Sequence, residues 1–113
     1  MSVTIYHNPR CHTSRTTLAL LEKRGIKPTV IEYLKTPPSP AELKRLLKML
    51  HMEPRALLRS KEAKLAGLDK AGLTDEQVIA GMVKHPIVIE RPIVVSGSRA
   101  ALGRPPEAVL KIL

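Results

Sequence analysis

Val3-Thr4-Ile5-Tyr6-His7-Asn8-Pro9-Arg10-Cys11-His12-Thr13-Ser14-Arg15 carries the chain through a strand-like run, a turn and the start of a helix. Residues 3–7 read as a short buried strand, and Asn8-Pro9 ends it with a turn signal. A helix is expected from about Thr13 to Arg24, with Leu18, Ala19 and Leu21 on its apolar side and Gly25 at the C′ position. Cys11 is the only cysteine, and it falls at the junction. A helix N-terminus presents unpaired N–H groups and partial positive charge, and His7, Arg10, His12 and Arg15 add cationic or protonatable groups. Such a setting lowers a thiol from about 8.5 into a range of about 3.5–7.5 and makes it a nucleophile. The competing reading is a small buried hydrophobe, the usual fate of an isolated free cysteine. The basic strand-to-helix turn favours the nucleophile.

Outward from this segment the punctuation is clear. Thr29–Leu34 reads as a second strand, broken by Thr36-Pro37-Pro38. Ser39-Pro40-Ala41-Glu42 combines a serine N-cap, proline at N1 and glutamate at N3, which opens a helix over Ala41–Leu50. Short helical turns are expected around Pro54–Leu58 and Lys61–Leu65. Thr74-Asp75-Glu76-Gln77 repeats the capping logic for a helix to about Lys84, stopped by His85-Pro86. Ile87-Val88-Ile89 and Ile93-Val94-Val95 are β-branched runs that form either two strands or a loop leading into one. A Ser96-Gly97-Ser98 turn then leads to a strand at Arg99–Leu102, and a terminal helix starts at Pro105-Pro106-Glu107. Two strands joined by a helix make a parallel βαβ unit, which a later antiparallel pair extends. The class is α/β: a small mixed sheet flanked by helices on both faces, with a helical insert.

The 113 residues suffice for one domain, expected over residues 1–113, and are too few for two well-packed ones. Two tyrosines are the only aromatic side chains, so aliphatic residues and Met must fill the core. A single cysteine excludes an internal disulfide, and the immediate strand pattern leaves no room for a signal peptide. No apolar run approaches a membrane span, and a reducing cytoplasm is the expected location. A formal charge of +9 calls for an anionic partner. Dispersed basic residues and the near absence of stacking aromatics argue against nucleic acid. The four histidines and one cysteine show no metal-ligand spacing, so no metal is expected.

Taken together, the chain resembles the glutaredoxin-coupled arsenate reductase family, a branch of the thioredoxin-like superfamily. The resemblance rests on Tyr6-His7-Asn8-Pro9-x-Cys11-x-Thr13-Ser14-Arg15, Tyr33-Leu34-x-Thr36-Pro37-Pro38, Arg55-Ala56-Leu57-Leu58-Arg59, His85-Pro86-Ile87, Arg91-Pro92-Ile93-Val94-Val95 and Arg104-Pro105. It implies a thioredoxin-like fold with a four-stranded sheet, and a cytoplasmic enzyme that reduces arsenate to arsenite. No bound cofactor is implied; glutathione is a co-substrate and glutaredoxin a partner. Cys11 would form a covalent thiol–arsenic adduct, and glutathione as resolving thiol removes the need for a second protein cysteine.

The same resemblance assigns Arg59, Arg91 and Arg104 to the oxyanion, for which arginine offers fixed charge and bidentate geometry. It makes Arg91–Pro92 the cis-proline beside the cysteine. His7 either tunes the thiol or hydrogen-bonds the loop, or is a structural histidine. Ser14 either donates to the thiolate or caps the helix, and Arg15 adds electrostatic help. Two departures stand out: His12 occupies a position where the family commonly has glycine, and the chain stops soon after Arg104. A redox-sensing regulator that binds RNA polymerase is the alternative of a different class, but its usual Cys-x-x-Cys is here Cys11 and Ser14. A glutathione-dependent thiol reductase of unknown substrate is the other.

Overall fold

The computed structural model describes residues 2–113 and divides into two compact units, one built from the chain up to Thr36 together with Arg91–Leu113, the other from Pro37–Glu90. The first unit holds strand β1 (Val3–His7), helix α1 (His12–Lys23), strand β2 (Thr29–Glu32), strands β3 (Ile93–Ser96) and β4 (Arg99–Leu102), and a terminal 3₁₀ helix over Pro106–Ile112. The strands form one mixed sheet in the order β2-β1-β3-β4. β1 runs parallel to β2 and antiparallel to β3, and β3 is antiparallel to β4. One face carries the core. Val3 and Ile5 alternate inward on β1 and Val94 lies opposite Ile5, while Leu21 of α1 and Val109 and Ile112 of the terminal helix close over them. Ile5, Leu21, Val94 and Val109 are fully buried, each contributing about 1.5–3 kcal/mol relative to exposure.

Helix α1 begins one residue earlier than its sequence pattern predicts because Cys11, extended at φ −95° and ψ 121°, is its N-cap. At its other end Gly25 adopts φ 77°, its N–H donates to Glu22, and the Ile26 N–H reaches Leu21. That is the double bond of a Schellman closure, and it turns Ile26 onto the core. β2 stops at Glu32, shorter than expected, because the N–H groups of Lys35 and Thr36 fold back to the Glu32 carbonyl.

The second unit contains α2 (Pro40–Leu50), α3 (Ser60–Leu65) and α4 (Asp75–Lys84), with 3₁₀ turns over Pro54–Leu57 and Pro86–Val88. Ser39 accepts the Glu42 N–H at 3.1 Å, and Thr74 and Gln77 exchange both bonds of a capping box. Ile87-Val88-Ile89 is not a strand. Pro86 starts a 3₁₀ turn there, and only one isolated bridge, Leu58 to Ile89, survives of the β potential. The terminal segment is a helix where one is expected, and it is of the 3₁₀ type. No helix among the described residues is long and apolar enough to cross a membrane.

Candidate active site

Strand register alone brings four loops to one end of the sheet. His7 pairs with Glu32, so Asn8 leaves β1 level with the exit of Tyr33 from β2. Tyr6 pairs with Ile93 and Ile93 with Leu102, so Arg91-Pro92 enters, and Gly103-Arg104 leaves, at that same end. The Gly103 N–H donates to the Pro92 carbonyl at 2.9 Å. A Cβ on Gly103 would lie 2.5 Å from Thr17 Oγ1 and 2.7 Å from Pro92 Cγ, so only glycine lets these segments approach. The Arg91–Pro92 bond is cis, and so is Arg104–Pro105, which the sequence does not announce.

Cys11 sits half-buried among these loops. Its N–H donates to the Asn8 carbonyl and its carbonyl accepts the Arg15 N–H, both at 3.0 Å, which fixes the turn around the thiol. Arg104 Nη2 lies 3.7 Å from Sγ, and Arg104 Nε donates to the Arg91 carbonyl at 2.9 Å. Arg91, only 7% exposed, hydrogen-bonds the sulfur through its side chain. Burial alone would push the Cys11 thiol up. The Ser14 backbone N–H at the first turn of α1, the Arg91 hydrogen bond and charge, and the Arg104 charge together outweigh it and hold the thiol below its ordinary value. No acidic residue occupies the first turn of α1 to oppose them.

The hydroxyl of Ser14 is not directed to the thiol. It bonds His7 Nδ1 at 2.6 Å and accepts the Asn8 N–H at 3.1 Å. Ser14 therefore acts on Cys11 through its backbone, and the capping role belongs to Cys11 itself. Burial lowers the His7 pKa, with Glu32 opposing and Arg15 reinforcing the shift. Arg15 is exposed and donates to the Pro9 carbonyl at 3.0 Å, bracing the loop. His12 is exposed at the first residue of α1.

Arg59 belongs to the second unit. Leu58 bridges Ile89, the Arg59 N–H donates to Val88 and the Glu90 N–H donates to Leu57, which aligns Arg59 with Glu90. Its Nη1 meets Glu90 Oε1 at 2.9 Å and its Nε meets Glu62 Oε1 at 3.3 Å. Burial works against the charged form, but the two carboxylates more than offset it and raise its pKa.

Tyr33 is the member of the site that the sequence leaves without a role. It is 1% exposed, with the Asn8 side chain and the Arg91 guanidinium hydrogen-bonded to its oxygen. The sequence signals are its place at the tail of the expected second strand and at the head of the Tyr33-Leu34-x-Thr36-Pro37-Pro38 motif. Among the described residues no group of three His, Cys, Asp or Glu is placed to hold a metal.

A model of the ArsC family matches residues 6–112. An arsenate reductase of Rhizobium meliloti (strain 1021) is 48% identical over 115 residues, spanning 100% of this chain and 82% of its own. An uncharacterised protein of Escherichia coli (strain K12), YfgD, is 49% identical over 114 residues, or 98% of this chain and 96% of that one. Among solved structures, an arsenate reductase from Vibrio cholerae superimposes with a TM-score of 0.96 at 54% identity, covering 100% of this chain and 98% of that one.

Proposed function

The chain belongs to the ArsC family and has its thioredoxin-like α/β fold, and from that premise we propose that it is an arsenate reductase with Cys11 as nucleophile. The observation that carries the reading is the Cys11 sulfur in contact with two guanidinium groups at a helix N-terminus. Arsenate is an oxyanion and repels a thiolate. Arg91 and Arg104 offset that repulsion and offer planar donors to the oxygens. The resemblance adds Arg59 to oxyanion binding, and its two carboxylate partners set a cost on any such engagement.

In this mechanism the thiolate forms a bond to arsenic as one oxygen leaves as water, giving a covalent S–As(V) adduct. Two electrons then convert As(V) to As(III). They come from a glutathione thiol and a glutaredoxin thiol, which end joined as a disulfide, while Cys11 returns as thiolate and arsenite departs. The protein itself needs one cysteine for this cycle, and one is what it has. The lowered thiol pKa serves both attack and departure, since a stable thiolate also leaves readily. A reducing cytoplasm, which keeps the thiol and both donors reduced, suits this chemistry.

The test is arsenate reduction with glutathione and glutaredoxin, comparing this protein with Cys11→Ser. Turnover by the parent and none by the variant is the expected result. A parent inactive on arsenate but active on glutathione mixed disulfides points instead to a general thiol reductase.

A further inference from the structure

Asn8 is tied to the active-site turn at two points. Its carbonyl accepts the Cys11 N–H, and its Oδ1 accepts the Arg10 N–H, each at 3.0 Å. With Oδ1 so used, the amide nitrogen is the group that donates to the Tyr33 oxygen. The same phenol oxygen accepts from Arg91, and Arg91 in turn hydrogen-bonds Cys11. Asn8, Tyr33 and Arg91 are 2%, 1% and 7% exposed, so the contacts from turn to phenol to guanidinium are shielded from water up to the half-buried sulfur. An arginine side chain has many rotamers, and a long cation beside a small turn needs an external reference to hold one of them.

We infer that Tyr33 is a positioning residue that sets the Arg91 guanidinium on the Cys11 sulfur and acts on the thiolate only through that arginine. This rests on the reading of Cys11 as an activated thiolate and deepens it. The phenol suits the task because it stays neutral. Burial pushes its pKa up to about 12, with the nearby Cys11 charge adding to the rise and Arg91 and Asn8 opposing it. A neutral phenol accepts from a cation without cancelling its charge. The carboxylates on Arg59 do the opposite, placing negative charge directly on the guanidinium. Arg104 is held separately, by the bond from its Nε to the Arg91 backbone carbonyl, which keeps the second cation beside Sγ.

The experiment is a double-mutant cycle read by thiolate absorbance against pH, in the full chain, without arsenate or glutathione. Tyr33→Phe keeps the ring and removes the oxygen. The Cys11 midpoint is expected to rise by about half to one pH unit, an effect of about three- to tenfold in the ionisation constant of the thiol. Arg91→Ala raises the midpoint by itself, and adding Tyr33→Phe to it changes nothing further. A midpoint unmoved by Tyr33→Phe, or a full shift that persists in the Arg91→Ala background, overturns the proposal. A phenol that only filled space would lower the melting temperature and leave the midpoint where it was.

If Tyr33→Phe does not fold, the parent answers the same question. Two tyrosines give two Cζ signals in a ring-labelled NMR spectrum. One is expected to inflect at the Cys11 midpoint, to lose that inflection in Cys11→Ser and to lose most of it in Arg91→Ala, whereas a full inflection that persists in Arg91→Ala overturns the proposal. Neither signal following Cys11 contradicts the coupling. Because no arsenate is present, failure here counts against Tyr33 alone, whereas a parent inactive on arsenate counts against the substrate reading alone.

Discussion

The loop end of the sheet and the Arg59 corner of the helical unit treat the same side chain in opposite ways. Around Arg91 the partners include a neutral phenol, the Cys11 sulfur and a second arginine bound to its backbone, and the charges of both arginines act on Cys11. Around Arg59 two carboxylates lie within 3.3 Å and the charge is matched where it sits. The difference teaches that arginine count says little about an anion site. What each guanidinium is hydrogen-bonded to decides whether its charge is left to act on something else.

The comparison is broken most severely at Arg91. Arg91→Ala removes a charge-assisted hydrogen bond worth about 1.5–3 kcal/mol, and should cut arsenate turnover by about tenfold or more in a steady-state assay. Arg91→Lys should recover part of that loss, since the charge returns without the planar fork. Packing gives the next contrast. Gly103→Ala drives a methyl into Thr17 and Pro92 and should cost about 1–3 kcal/mol in denaturant unfolding, whereas Gly72→Ala in the helical unit meets nothing within 4 Å and should stay within about 0.5 kcal/mol. Glu90→Gln keeps an acceptor but removes the charge from a pair whose side chains are 26% and 21% exposed, so a loss of about 1 kcal/mol is expected by the same measurement.

The smallest effect is on the pH dependence of stability. Cys11 and His7 both have folded pKa values below their ordinary values. The unfolded chain then binds more protons in each window, so stability rises with pH there and is lost as pH falls through the folded value. Melting temperature should climb toward pH 9, and Cys11→Ser should flatten that climb. His7→Asn should flatten the rise around and below pH 6.5.

Legibility in the sequence followed the range of the forces involved. Helices with local signals were readable: Ser39-Pro40, Thr74 with Gln77, and Gly25 each settle a helix end through bonds to near neighbours. The strand Val3–His7 and its parallel partner were equally plain. Composition left Ile87-Val88-Ile89 as either a strand or a loop leading into one, because β-branched residues report only fit to a sheet; the loop holds, since Pro86 starts a 3₁₀ turn and denies that segment a ladder. Cys11 was found from its place at a strand-to-helix turn. Arg91 and Arg104 were named from the family motifs, and their contacts with the sulfur required the fold. Tyr33 looked like the tail of a strand, since its partners lie in β1's exit turn and before β3, far along the chain. The Ser14 hydroxyl, left open between the thiolate and a helix cap, does neither, for the same reason: its partner, His7, is across the turn rather than at the thiol.

The central claim is that this end of the sheet lowers the Cys11 pKa, with Arg91 supplying part of the effect beside the Ser14 N–H and Arg104. Titration of the Cys11 thiolate by ultraviolet absorbance, in the parent and in Arg91→Ala, tests it most directly. The account predicts a parent midpoint well below about 8.5 that moves upward when Arg91 is removed. A parent midpoint at or above about 8.5, or one that Arg91→Ala leaves in place, contradicts it.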